Sequence, residues 1–188
     1  MRNFRLIFSL SLVLLLVVAC GPKEPIIETA AGDMNLTAAD LESNWSLDEE
    51  QGMETLLESA PSYTKDANMR TFTSDEPIGV LVSIILTTNS VAAAKEEMIG
   101  KDLMDTMGIK ATFLKMLPNV MPQKVEPPDV GDEAVMIVSQ DTDLGFNVYA
   151  LVFRKSNVIA MLFFGGTEDW ATDEAITGYA QILEAKIR

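Results

Sequence analysis

The chain contains no histidine. Catalysis by Ser-His-Asp or Cys-His arrangements, histidine-ligated zinc and imidazole acid–base chemistry are therefore excluded. It has a single cysteine, Cys20, so no disulfide can form within the chain and the fold must be held by packing. Positive charge is also scarce. Fourteen lysines and arginines stand against 28 acidic residues, for a formal net charge of −14 over 188 residues. Such a surface repels phosphate backbones and anionic head groups, which argues against nucleic acid as a partner and against electrostatic membrane attachment. An acidic balance of this kind serves solubility.

The amino terminus begins Met-Arg-Asn-Phe-Arg, and residues 6–19 follow as an apolar run broken only by Ser9 and Ser11. A charged start followed by a short apolar stretch has the grammar of a secretory signal. Fourteen residues rise only about 21 Å as a helix, short of the roughly 30 Å hydrocarbon layer, so a processed signal is expected and not a permanent span. Val17-Val18-Ala19-Cys20 resembles the lipobox of bacterial lipoproteins. That resemblance implies cleavage after Ala19 and acylation of Cys20, with two or three chains making attachment durable. It leaves no thiol for catalysis. Loss of Arg2 and Arg5 with residues 1–19 moves the net charge from −14 to −16. Residue 21 is Gly and not Asp, which resembles the default that permits outer-membrane sorting where the host has two membranes.

The expected organisation is a signal peptide at 1–19, a lipidated cysteine and tether at 20–35, and one globular domain at 36–188. Pro22, Pro25 and Gly32 mark the tether, whose extended reach of about 50 Å would hold the domain clear of the head groups. Thr37 and Asp40 have capping-box spacing, predicting a helix from Ala38 that carries Leu41 and Trp45. A further short helix is expected around residues 53–57. Strands are expected at 69–73 and 78–87, then a long helix capped by Ser90 and stopped at Gly108, and another helix over 109–117. Residues 118–132, rich in proline, read as an irregular connection. Three meander strands follow at 134–139, 147–154 and 157–164, with a closing helix opened by Thr172 or Asp173. Its residues Ile176, Tyr179, Ala180, Leu183 and Ile187 form one buried face.

In the last two strands both alternating sets are apolar: Val148, Ala150, Val152 against Tyr149, Leu151, Phe153, and Val158, Ala160, Leu162, Phe164 against Ile159, Met161, Phe163. A strand with one solvated face would alternate, so both faces of this hairpin must be covered. The expected fold class is α+β: a mostly antiparallel sheet of about five strands with helices over both faces, an α/β/α-like sandwich.

Chemistry-bearing motifs are sparse. Asp129, Asp132, Glu133, Glu168 and Asp169 sit at element ends, where carboxylates either belong to solvated turns or serve as an acid–base pair, as in glycosidases. Asp141-Thr-Asp143-Leu-Gly145-Phe-Asn147 has the rhythm of a calcium loop, but glycine falls fifth instead of sixth and the twelfth residue is Val152, so a hairpin turn is expected. Met98, Met104, Met107, Met116 and Met121 are methionines of the kind that fill cores more than they bind copper(I). Gly165-Gly166-Thr167 lies before four carboxylates, Glu168, Asp169, Asp173 and Glu174, which would repel phosphate, so a flexible strand exit is expected. No cofactor and no metal are expected.

The turn Gly131-Asp132-Glu133-Ala134, the hairpin tip Arg154-Lys155-Ser156-Asn157 and the closing amphipathic helix are together similar to the layout of many bacterial lipoproteins with a "GDEA" turn. The layout also resembles PsbP-like domains and the extracellular sensor domains of mycobacterial serine/threonine kinases, whose disulfides this chain cannot form. The resemblance implies a binding or accessory role and not an enzyme. The expected function is thus a lipid-anchored, extracytoplasmic or periplasmic module engaging an envelope protein or small ligand at the cell membrane or outer membrane; the alternative is a carboxylate-based hydrolase of envelope glycans. Trp45 and Trp170, near the ends of expected helices, are the candidate partner contacts, with closure of the core edge as their other reading.

Overall fold

The computed structural model describes residues 24–56, 62–99 and 121–188. Its centre is one fully antiparallel sheet of seven strands: β1 (Ser46–Gly52), β2 (Thr64–Asp75), β3 (Ile78–Thr88), β4 (Gln123–Val125), β5 (Glu133–Asp141), β6 (Phe146–Lys155) and β7 (Val158–Thr167), in the order β1-β2-β3-β7-β6-β5-β4. Two meanders, β1 to β3 and β4 to β7, meet where β3 pairs with β7 from Gly79 opposite Gly166 to Thr87 opposite Val158. The described helices are short apart from the last: α1 (Ala31–Met34), α2 (Met53–Leu56), α3 (Val91–Ile99) and α4 (Asp173–Lys186).

The expected five-strand sandwich with helices over both faces is therefore corrected to a mostly β protein built on a seven-strand sheet. The two unforeseen strands are its edges. β1 reads Ser-Leu-Asp-Glu-Glu-Gln-Gly and is exposed at almost every position, so it carries no hydrophobic alternation. Its place comes from the ladder to β2, supported by Arg70, whose guanidinium donates to the Glu50 carboxylate at 2.8 and 3.0 Å. β4 is three residues long and lies inside the proline-rich stretch read as irregular. The helix expected from Ala38 shrinks to a single 3-10 turn, Ala38–Asp40. The capping pattern acts locally: the Asp40 carboxylate accepts from the Thr37 amide and hydroxyl, both at 2.7 Å. The chain then turns so that Trp45 enters the core and β1 can begin.

Both apolar sets of β6 and β7 are buried, Phe163 only partly. Tyr149, Leu151, Phe153, Val158, Ala160, Leu162 and Phe164 face a large cluster closed by Met34, Leu36 and Trp45 from the amino-terminal segment and by Ile176, Tyr179, Ala180, Leu183 and Ile187 from the last helix and its end. Val152, Ile159 and Met161 face a smaller cluster with Ala67, Leu86 and Ala94. Thr172 caps α4, its hydroxyl accepting from the Ala175 amide at 3.2 Å, and Ser90 caps α3 through the Ala93 amide at 3.1 Å. The remainder of the long helix expected after Ser90, and the helix expected at 109–117, lie outside the described residues.

Residues 24–35, read from sequence as a free tether, are instead packed on the domain. Ala31, Met34, Asn35 and Leu36 are fully buried. Asn35 is held between strands: its amide nitrogen donates to the Asn68 side-chain oxygen at 2.7 Å and to the Asn68 and Ser83 carbonyls, while its own oxygen accepts from the Ser83 hydroxyl and the Leu36 amide. A buried amide so completely satisfied fixes one register for the segment that carries it.

Candidate functional site

The two ends of the β6–β7 hairpin are built from different chemistry. At the end where β7 leaves the sheet, Trp170 stacks on Trp45 with ring centroids 4.7 Å apart and an interplanar angle of 28°. Phe164 meets Trp170 edge-on at 5.5 Å, and Tyr179 meets Phe164 likewise at 5.5 Å. The Trp45 indole N–H donates to the Tyr179 hydroxyl at 3.1 Å. Burial raises the Tyr179 phenol above its ordinary range, an effect the Trp45 hydrogen bond opposes.

The glycines explain how the indole fits. A Cβ at Gly79 would lie 2.2 Å from the Trp170 ring, and one at Gly166 would meet the Ile78 carbonyl at 3.2 Å and the same ring at 3.4 Å. Gly165 and Gly166 are paired on both sides, to β3 and to β6. The flexible strand exit expected there is thus corrected to an ordered part of β7, in which Gly166, with Gly79 opposite on β3, leaves room for Trp170.

Trp45 is only 5 % exposed, which corrects its reading as a partner contact: its ring is committed to the core. Trp170 is half-buried and lines a groove of about 470 Å³ with Tyr179, Ile182, Asp40, Glu42 and Glu174. The groove has an aromatic floor and an acidic rim, an arrangement that favours apolar groups carrying positive charge. Asp40 is already engaged. Burial raises its pKa, yet the Lys186 ammonium at 2.6 Å and the Thr37 hydrogen bonds outweigh this and hold the carboxyl below its usual range.

At the opposite end, Arg154 is 2 % exposed and faces three carboxylates, Asp132 at 2.9 Å, Glu24 at 3.1 Å and Glu133 at 3.3 Å. The same guanidinium donates to the Ser156 carbonyl at 2.7 Å. Asp132 also accepts from the Ser156 amide at 2.8 Å, closing the "GDEA" turn onto the hairpin tip. Gly131 is required in that turn: its φ is +64°, and a Cβ would come within 2.4 Å of the Arg154 carbonyl oxygen. Asn157 at the tip donates to the Ile27 and Thr88 carbonyls and accepts from the Ile27 amide at 2.7 Å. A second cavity, about 660 Å³, lies beside this tip between residues 24–28, Lys155 and Ile187.

The carboxylates singled out from sequence divide between these ends. Asp132 and Glu133 are tied to Arg154, Glu168 and Asp169 are exposed beside the turn that follows β7, and Asp129 is exposed in the connection before β5. Among the described residues no three acidic side chains converge as a metal site would need. Asp141 accepts from the amides of Asp143 and Leu144, and Gly145 has φ +60°, so the calcium-like rhythm makes a hairpin turn. Met98 packs against the smaller cluster and Met121 is exposed; Met104, Met107, Met116 and Cys20 lie outside the described residues. No helix among the described residues is long and apolar enough to cross a membrane. Sequence reasoning missed Arg154 and Asn157 as structural centres. The signal was present in the Arg154-Lys155-Ser156-Asn157 tip, but nothing local shows that residues 24–27 return to it.

These features define an open antiparallel sheet closed on one face by an amino-terminal segment and a carboxy-terminal helix. That fold is similar to a solved one, the extracellular domain of PknH from Mycobacterium tuberculosis, with a TM-score of 0.54, 10 % identity, and coverage of 87 % of this chain and 98 % of that one. The resemblance to kinase extracellular sensor domains thus holds at the level of fold. No family model matches the chain, and no curated protein matches it.

Proposed function

We propose that the chain is a lipid-anchored, extracytoplasmic lipoprotein whose domain acts as a non-enzymatic binding or accessory module at the cell envelope. The observation that carries this reading is that a similar fold serves as an extracellular domain, covered over almost its full length. The lipobox-like Val17-Val18-Ala19-Cys20 supplies the anchor. Hydrolysis, the alternative, would need two carboxyls about 5 to 10 Å apart across one groove; Asp40, Glu42, Asp169 and Glu174 line the Trp170 groove, and of these Asp40 is already held by Lys186 and Thr37. The groove at Trp170 is the surface offered to an envelope protein or small ligand.

Two measurements test the reading. Mass spectrometry of the mature amino terminus should find an acylated Cys20, and Cys20→Ser should leave the signal uncleaved by the lipoprotein peptidase; a free amino terminus elsewhere refutes the anchor. Capture from the protein's own membranes should then be compared between the natural chain and Trp170→Ala. Capture lost with the melting temperature almost unaltered places the contact at Trp170, and capture unchanged removes that groove from the proposal.

A further inference from the structure

The segment between the anchor and the domain is much shorter than its composition implies. From Glu24 onward the chain is held by hydrogen bonds or ion pairs at intervals of a few residues. Glu24 pairs with Arg154 at 3.1 Å and with Lys95 at 2.6 Å. The Pro25 carbonyl accepts from the Ser156 hydroxyl, and Ile27 is bonded through both its amide and its carbonyl to Asn157. Thr29 donates to the Arg188 carbonyl at 2.7 Å, the Ala31 amide donates to Asp66 at 2.7 Å, and the Leu36 carbonyl accepts from Arg70 at 2.8 Å. These partners come from β2, β6, the β6–β7 tip, α3 and the carboxy terminus.

The path has a direction. It starts at the β6–β7 tip and climbs one face of the sheet to Trp45, at the aromatic end. Only Gly21, Pro22 and Lys23 separate Cys20 from Glu24. Four steps of extended chain span about 14 Å, less than half the roughly 33 Å length of ten-residue β6. A domain attached this closely cannot present its opposite end to the surface it is attached to. The tip end also displays Ile26, 53 % exposed, beside Pro25, with Glu24, Glu28, Asp132 and Lys155 around the same cavity.

We infer that residues 24–36 form a strap and not a spacer, so that the acylated Cys20 holds the β6–β7 tip and the carboxy-terminal end of α4 against the bilayer and turns the Trp170 groove outward. The inference rests on the lipid-anchor reading above. The partner of the tip face is the lipid surface, and any protein or ligand meets the far end.

The test uses the full lipidated chain in phosphatidylethanolamine–phosphatidylglycerol vesicles carrying a head-group acceptor dye. Cys20 is blocked by its thioether, so a cysteine introduced at an exposed position takes the donor dye alone. Ala185→Cys marks the tip end and Leu144→Cys the far end. Strong transfer from residue 185 and weak transfer from residue 144 is expected, and a twenty-residue Gly-Ser insertion between Pro22 and Lys23 should weaken transfer at residue 185. Equal transfer from both positions in the chain without the insertion overturns the orientation. Hydrogen exchange supplies an independent readout: the Ile27, Ala31 and Leu36 amides should exchange slowly, and exchange at free-peptide rates overturns the strap. Absence of acyl mass on Cys20 overturns the anchor, and the orientation with it, while slow exchange would still show the strap.

Discussion

The two ends of the β6–β7 hairpin solve the same problem, closing the edge of a core, by different means. At the aromatic end four rings interlock, and room for the outermost is made by removing side chains at Gly79 and Gly166. At the tip end closure is polar, with Arg154, Ser156 and Asn157 gripping the incoming residues 24–27 through the Glu24 carboxylate and backbone atoms. Apolar closure depends on area and shape, and it is insensitive to pH. Polar closure depends on every partner being present, since an unmatched buried amide or guanidinium costs free energy.

The sharpest way to break the comparison is Trp45→Ala. Removing a buried indole from the junction of Phe164, Trp170 and Tyr179 should cost about 3–5 kcal/mol. Thermal or denaturant unfolding measures it, and a loss below about 1 kcal/mol would mean that the aromatic end closes nothing. Gly79→Ala should come next, at roughly 1–3 kcal/mol, because the added methyl must displace the Trp170 ring. In a Trp170→Ala background the same substitution should cost clearly less, and a double-mutant cycle with no coupling would show that the glycine is there for another reason.

The smallest effect belongs to acid. Glu24 is held below its ordinary value of 4.5, first by the Lys95 hydrogen bond and further by Arg154. A carboxyl whose pKa is depressed by folding contributes stability that is complete above its unfolded value and is lost as pH falls through the lower folded one. The protection factor of the Ile27 amide, its exchange relative to a free peptide at the same pH, should therefore fall as pH drops below about 4, before the aromatic near-ultraviolet signal changes. Simultaneous loss of both signals would mean that the two ends do not act separately.

How much of this was legible in the sequence depended on range. The central hairpin announced itself through its doubly apolar strands, and α4 through the spacing of Ile176, Tyr179, Ala180 and Leu183, because those signals are local and periodic. β1 was illegible because an exposed edge strand has no buried face to pattern its residues; only the ladder to β2 specifies it. The capping signal at Thr37 and Asp40 was correct in its hydrogen bonds and wrong in its length, since tertiary burial of Trp45 overrode helix continuation. Residues 24–35 looked like a linker because their contacts are to residues more than thirty positions away, among them Asp66, Arg154 and Asn157. Trp45 and Trp170 stood out together in the sequence, but that Trp45 is buried while Trp170 keeps an open edge could be read only from their stacking.

The acidic outer strand has a consequence for life at high density. An open sheet offers the backbone of its outermost strands to any neighbour, and copies held in a plane by the proposed lipid anchor would meet one another far more often than in bulk solution. β1 presents Asp48, Glu49 and Glu50 in succession, exposed, with an irregular register between Leu47 and Glu49. Like charges brought opposite one another, together with a bulged ladder, disfavour edge-to-edge pairing of two copies. The same residues that hid this strand from the hydrophobic pattern are those that would keep a crowded layer of such molecules from zipping into a continuous sheet.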